Sequence, residues 1–179
     1  MEKIKQLQSE FIFNEIFQAS IYASFSTRNL KFPIYGKNII KPKTLTTDLK
    51  DMIQTYVTKF KAGHIDEFAH FEEILNMSTC ISDKYEDALH NGRFRIGTSQ
   101  KLLNLVLKYL WCIGEIEVPH HCPIDSIIIK KFNPTSNTSW TQLDSIIEYK
   151  EYIDAIRELI GKNTSIAKWE LEVWNRRPL

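Results

Sequence analysis

The sequence predicts an all-α fold, a single bundle-like domain of seven or eight helices spanning residues 1–179. Apolar residues recur at spacings of three and four along most of the chain, the period of a helix with a covered face. No stretch of strand length alternates apolar with polar residues, and no internal repeat or low-complexity tract is present. Only six Gly and six Pro interrupt the 179 residues, which favours long helices.

The first helix runs from Ile4 to Phe25, with Ile4, Leu7, Phe11, Ile12, Ile16, Ala19 and Ala23 in one apolar row. Phe13, Phe17, Ile21 and Phe25 form a second row, so this helix is expected to be covered on more than one side. Residues 28–46 read as a long connection punctuated by Pro33, Gly36 and Pro42. That connection is basic, with Arg28, Lys31, Lys37, Lys41 and Lys43 and no acid. Thr47 and Asp48 are expected to open the second helix, whose stripe is Leu49, Met52, Ile53, Tyr56, Val57 and Phe60 and whose stop is Gly63. A third helix follows through "HIDEFAHFEEILNM", with Ile65, Phe68, Phe71, Ile74 and Leu75 inward. A shorter one, "SDKYEDALH", ends at Asn91-Gly92, a pair suited to a left-handed terminus.

A further helix spans Ser99 to Cys112, and Pro123 is expected at the first position of the next. After the polar loop "NPTSNTS", Ser139 and Gln142 fit a capping box for a helix that runs through Ile160 and stops at Gly161. Asn163 or Thr164 is expected to cap the last helix, "SIAKWELEVW", with Ile166, Trp169 and Val173 on one side.

A formal net charge of +1 supplies no bulk attraction to nucleic acid or anionic membrane, so either would need a local patch. Three cysteines, Cys80, Cys112 and Cys122, without framework spacing suggest reduced thiols and a cytoplasmic location. Glu10, Asn14, Glu15 and Gln18 interrupt the apolar N-terminal segment, so it reads as neither a secretory leader nor a membrane span, and no membrane partner is expected.

The helix from Ser99 to Cys112 is apolar almost all round except at Lys101, Asn104 and Lys108, which share one face. Such a lysine either carries its ammonium to water along its own stem or sits in a partly desolvated site, where it becomes a usable nucleophile. The first alternative is the commoner one, because lysine is rarely buried. Asp125 follows near the start of the next helix, where it either stabilises the helix dipole or points into the same cleft as Lys101. Gly97, Thr98 and Ser99 form a helix start whose amides suit a phosphate, and Arg93 and Arg95 lie just before it. Trp111, Tyr109 and Trp140 are aromatics that either pack the core or receive an unstacked base.

A lysine-bearing helix, a turn, then Pro-aliphatic-Asp-Ser opening an Ile-rich helix is similar to the helix-hairpin-helix DNA glycosylases. The resemblance covers Gly97 to Phe132, with an echo in "SIAKWELEVW". It implies an all-α DNA-binding protein in which Lys101 attacks the sugar C1′ and Asp125 assists base departure. Arg93, Arg95, Gly97, Thr98, Ser99, Asn104 and Lys108 would then hold the nucleic acid, and no cofactor is expected. The alternative is a non-enzymatic helical interaction or regulatory protein of bacterial type, working with a protein partner or as a homo-oligomer.

Cys112, His120, His121 and Cys122 lie close in sequence, but no two have ligand-like separation, so no metal is expected. His120 and His121 are expected to shape a turn, one of them bonding a helix end. Cys122, at a helix start beside His121, is a third candidate nucleophile, set against the more usual structural role of such a cysteine.

Overall fold

The computed structural model of the chain describes residues 2–26, 33–37, 39–137, 139–161 and 163–175. These carry seven helices: α1 (Glu2–Phe25), α2 (Lys43–Lys61), α3 (Glu67–Tyr85), α4 (Ile96–Cys112), α5 (Ser126–Phe132), α6 (Ile146–Ile160) and α7 (Ile166–Asn175). The fold is therefore all-α, and among the described residues the only extended pairing is an isolated bridge between Tyr35 and Leu89. No described helix is long and apolar enough to cross a membrane.

α4 is the axis of the molecule. Ile96, Leu102, Leu103, Val106, Leu107 and Leu110 bury apolar surface on several of its sides. α1 lies along it on one side and α3 on another; α2 packs on α3, α6 touches α4 and α5, and α7 lies on α6. All seven helices feed one continuous core, from Phe17 of α1 to Ile166 of α7. Ser20 and Ser24 are buried on the packed side of α1, where small side chains let two helices approach closely. The Ser24 hydroxyl donates to the Ser20 carbonyl at 2.7 Å.

Several helix limits differ from those the sequence suggests, each for a local reason. α2 starts at Lys43, directly after Pro42, which is itself extended (φ −68°, ψ 121°) and has no N–H, so a proline at this edge costs the helix no hydrogen bond. Asp48 thus lies inside α2 and ties it to α3, pairing with Lys84 at 2.5 Å and accepting from the Tyr85 hydroxyl at 2.7 Å. α3 is capped by Asp66, which accepts from the Ala69 amide at 2.7 Å. It runs on to Tyr85 because Ile81, Ser82 and Tyr85 continue its buried face. The separate helix expected over 82–90 is therefore absorbed into α3 and two short 3₁₀ turns, Glu86–Ala88 and His90–Gly92. Asn91 and Gly92 there are left-handed, with φ of 54° and 66°. Phe68, expected inward, is 66% exposed.

α4 begins at Ile96, three residues before Ser99. α5 begins at Ser126 rather than Pro123, because Asp125 is its cap. The Ser139–Gln142 pair is formed, with the Ser139 amide donating to Gln142 Oε1 at 3.1 Å, but it closes a turn. α6 is capped instead by Ser145, which accepts from the Glu148 amide at 3.3 Å. At α7 the Ser165 hydroxyl, not Asn163 or Thr164, accepts from the Lys168 amide at 3.5 Å. Arg28 and Lys31 of the expected basic connection lie outside the described residues.

Candidate functional site

The predicted site residues lie along α4 and close to it, and most are tied into the fold, although the buried Thr98 hydroxyl has no hydrogen-bond partner among the described residues. Arg93 binds Asp144 through two bonds, Nε to Oδ2 at 3.0 Å and Nη2 to Oδ1 at 2.9 Å. Arg95 is buried and donates to the Pro33 carbonyl at 2.9 Å. The start of α4 is also occupied. The Ile96 amide donates to Asp144 Oδ1 at 3.4 Å and the Gly97 amide to the Leu143 carbonyl at 2.7 Å. The Thr98 and Ser99 amides both donate to the Arg95 carbonyl at 3.0 Å. Gly97, Thr98 and Ser99 are all buried. A Cβ at Gly97 would lie 1.8 Å from the Trp140 carbonyl oxygen, so glycine is required by the close approach of the 140–143 turn.

Lys101 is half-buried, its ammonium 4.0 Å from the centre of the Trp140 ring, a cation–π geometry. Asp125 Oδ1 accepts from the Ile127 and Ile128 amides at 2.9 and 3.0 Å, the work of an N-cap. Gln100 draws their segments together. Its Nε2 donates to the Ile124 carbonyl at 2.8 Å and its Oε1 accepts from the Ile124 amide at 3.1 Å. Lys108 forms a buried pair with Glu170 of α7, at 2.7 and 3.0 Å to the two carboxylate oxygens. Trp140 is buried, Trp111 half-buried and Tyr109 exposed.

Asn104 is the centre of a polar spine that sequence reasoning did not assemble. Its amide nitrogen donates to the Cys122 carbonyl at 3.1 Å, which fixes which end of the amide is nitrogen. Its Oδ1 lies 2.9 Å from His70 Nε2, so that nitrogen carries the proton. His70 Nδ1 is then the acceptor for the Tyr56 hydroxyl, 2.5 Å away. On the other side Asn104 Nδ2 donates to the Tyr149 oxygen at 3.0 Å. Tyr149 gives its own proton to His121 Nδ1 at 3.0 Å, and His121 Nε2–H donates to Glu67 Oε1 at 2.9 Å. Arg157 closes the spine by pairing with Glu67. Bonds thus run in one direction from Tyr56 to Glu67, crossing α2, α3, α4, the 113–125 segment and α6.

The electrostatics suit two neutral imidazoles. Burial holds both His70 and His121 below the ordinary histidine value. The bond from His121, aided by Arg157, brings the Glu67 carboxyl down to about 2. Burial pushes the Tyr149 phenol and the Cys122 thiol upward, which removes the reactive thiolate from Cys122. The Asn104 amide also interrupts any chain of exchangeable protons, so the spine holds elements together and does not conduct protons. Among the described residues no three His, Cys, Asp or Glu side chains are disposed to hold a metal ion. His120 Nε2–H donates to the Ile65 carbonyl at 3.0 Å, at the entry to α3.

A second feature lies on α1. Ile4, Leu7 and Phe11 are 59%, 50% and 62% exposed, and every residue from Glu2 to Ile12 is exposed. Of the two apolar rows, Phe13, Ile16, Phe17, Ile21 and Phe25 meet the core. The row through Ile4, Leu7 and Phe11 points away from it. An open groove of about 520 Å³ runs beside this stretch, floored by Ile12, Phe13, Val57, Leu110 and Ile113. The Lys61–Glu115 pair, at 2.7 Å, stands at its edge.

His70, Asn104 and Tyr149 were detectable only as polar residues set within apolar rows. Glu67 and Glu170 carried no such signal, since each precedes or follows residues typical of a solvated face. Comparison of the chain with family models, with curated proteins and with solved structures gives no match.

Proposed function

We propose that this chain is a non-catalytic helical interaction protein whose working surface is the outward face of α1, paired antiparallel with a second copy of the chain. The observation that carries this reading is the exposed row Ile4, Leu7, Phe11 on a helical segment with no buried residue. A helix of this length without tertiary cover is marginal in water, and packing against another chain completes it.

The charges select the partner. Lys3 and Lys5 flank the beginning of the row, while Glu10 and Glu15 flank its end; Glu2 sits in the first turn, where the dipole stabilises it. Lys3 and Glu10 lie on the same flank of the row, so antiparallel copies crossing near Leu7 set Lys3 of each beside Glu10 of the other, whereas parallel copies set like against like. Such a two-fold contact uses the same patch on both subunits. One helix face buries well under the roughly 800 Å² per partner of a standard interface, so the association is transient.

Base excision through Lys101 and Asp125 is less well served by the geometry. The lysine ammonium is stacked on Trp140 and the carboxylate is spent on the α5 amides. The helix start that would hold a phosphate is buried and internally bonded.

Sedimentation equilibrium of the full chain over a range of concentrations tests the reading. The expected result is a mass that climbs toward two chains and stays at one chain in the Leu7→Glu variant. A mass fixed at one chain, or association that Leu7→Glu leaves intact, rejects it.

A further inference from the structure

We propose that His121 is a proton-operated latch: a second proton on its Nδ1 breaks the bond from Tyr149 and releases the 113–125 segment from α3 and α6. This inference concerns the polar spine and is independent of how α1 pairs.

The geometry leaves His121 one way to accept a proton. Its Nε2–H is already committed to Glu67 at 2.9 Å. Its Nδ1 is the acceptor for Tyr149, whose oxygen in turn accepts from Asn104. A proton placed on Nδ1 aims a second donor at the Tyr149 oxygen and strands the tyrosine's own proton in a fully buried site. The Asn104–Tyr149–His121 run cannot reverse, because the Asn104 amide nitrogen is fixed by the Cys122 carbonyl.

The groups around His121 decide how strongly the proton is resisted. From α3 it faces Glu67 and the ring of His70, whose centroid is 4.6 Å away. From α6 it faces Tyr149 and, through Glu67, Arg157, which also pairs with Asp154 at 3.5 Å. His120 adjoins it on its own segment, and Asn104 of α4 and Tyr56 of α2 face the coupled His70. Burial, with Arg157 and His120, opposes the charged imidazole and Glu67 favours it, and the balance holds His121 below the ordinary histidine value. His70 has the same arrangement, its unprotonated Nδ1 accepting from Tyr56, but it is held well below the ordinary value by burial and by its neighbouring imidazoles.

The latch acts beside the segment's other ties to the body, which are the Cys122 carbonyl on Asn104, the Ile124 backbone on Gln100, His120 on the Ile65 carbonyl, the Lys61–Glu115 pair and the buried Ile116 and Ile124. Cys122, next to the latch, is buried, so its thiol reports opening.

The test uses the full chain with the two exposed cysteines replaced, Cys80→Ser and Cys112→Ser, leaving Cys122 alone. Its labelling by 4,4′-dithiodipyridine, a disulfide reagent that works in acid, is compared with the urea-unfolded chain at each pH. Protection of Cys122 is expected to fall by up to about tenfold between about pH 7.5 and about pH 5.5, the most that one proton on an ordinary histidine can supply. In His121→Gln, whose amide accepts from Tyr149 and donates to Glu67 but takes up no proton, protection should stay flat. An equal fall in His121→Gln, or no fall with His121 present, overturns the proposal. Ring nitrogen-15 shifts of the unsubstituted chain supply a check that does not depend on the variant folding. They should show His121 protonated on Nε2 alone at neutral pH, with Nδ1 taking its proton at the midpoint of the loss of protection. A neutral Nδ1–H tautomer, or a midpoint that follows another histidine, also overturns it.

Discussion

Tyr149 and His121 are joined by a hydrogen bond whose direction is set from outside the pair. Asn104 donates to the Tyr149 oxygen at 3.0 Å, so the tyrosine proton goes to His121 Nδ1, also at 3.0 Å. Tyr149→Phe removes an acceptor from Asn104 and a donor from His121 in a site without solvent. Urea unfolding should show a loss of about 1–3 kcal/mol, the cost of stranding buried polar groups. A neutral substitution would mean that the spine is not maintained in solution.

The Lys108–Glu170 pair is more sensitive to losing one partner than to losing both. Its side chains are 14% and 4% exposed. Glu170→Leu alone should cost roughly 3–5 kcal/mol by leaving a buried ammonium uncompensated, whereas Lys108→Met with Glu170→Leu should restore most of it. A double-mutant cycle in guanidinium unfolding measures the difference.

Gly97→Ala should be among the most damaging single-methyl changes in the chain. The added carbon would stand 1.8 Å from the Trp140 carbonyl oxygen, a backbone atom that cannot turn away. A loss of about 2–4 kcal/mol is expected by thermal or urea unfolding, from overpacking plus the lost Gly97–Leu143 bond. A substitution that is tolerated would place the 140–143 turn farther from α4.

Stability should depend on pH through opposing carboxylates. Glu67 is lowered to about 2 from 4.5, so its contribution is present above pH 4.5 and lost as pH falls toward 2. Glu73 is raised to about 7 from 4.5 by burial, so the folded chain loses stability as pH rises from 4.5 through 7. His121 is lowered from 6.5, so its contribution is present above 6.5 and declines as pH falls below it. Glu73→Gln should therefore stabilise the chain at about pH 8 by about 1 kcal/mol, after allowance for its partial exposure, and have little effect at about pH 4. Unfolding curves at the two values decide this, and equal effects at both would remove the role assigned to burial.

Lys101→Ala separates packing from chemistry. Loss of the ammonium over Trp140 should cost about 1 kcal/mol of stability. Borohydride reduction in the presence of duplexes with damaged bases should trap no covalent adduct in either protein. An adduct formed by the native chain and lost in Lys101→Ala would restore the excision reading.

Helix content was legible because spacing carries it, as in the stripe of α2, Leu49, Met52, Ile53, Tyr56, Val57 and Phe60. Helix ends were less so. Asp48, Pro123 and Ser139 each carry a good start signal, and each lost to a competitor: Pro42 at α2, the Asp125 carboxylate at α5 and Ser145 at α6. The polar face of α4 was visible as Lys101, Asn104 and Lys108, but apart from Gln100 the side-chain hydrogen-bond partners of Asn104 and Lys108 come from 18 to 62 residues away. Spacing along one helix does not encode such partners. The two rows of α1 were both readable, yet only the fold shows that the row through Ile4, Leu7 and Phe11 faces outward.

The most direct test of antiparallel pairing through α1 is a charge exchange read by sedimentation equilibrium. Lys3→Glu and Glu10→Lys should each weaken association, and the double variant should recover it, because the exchange restores opposite charges across the crossing. Additive weakening in the double variant, or association indifferent to all three, would contradict the account.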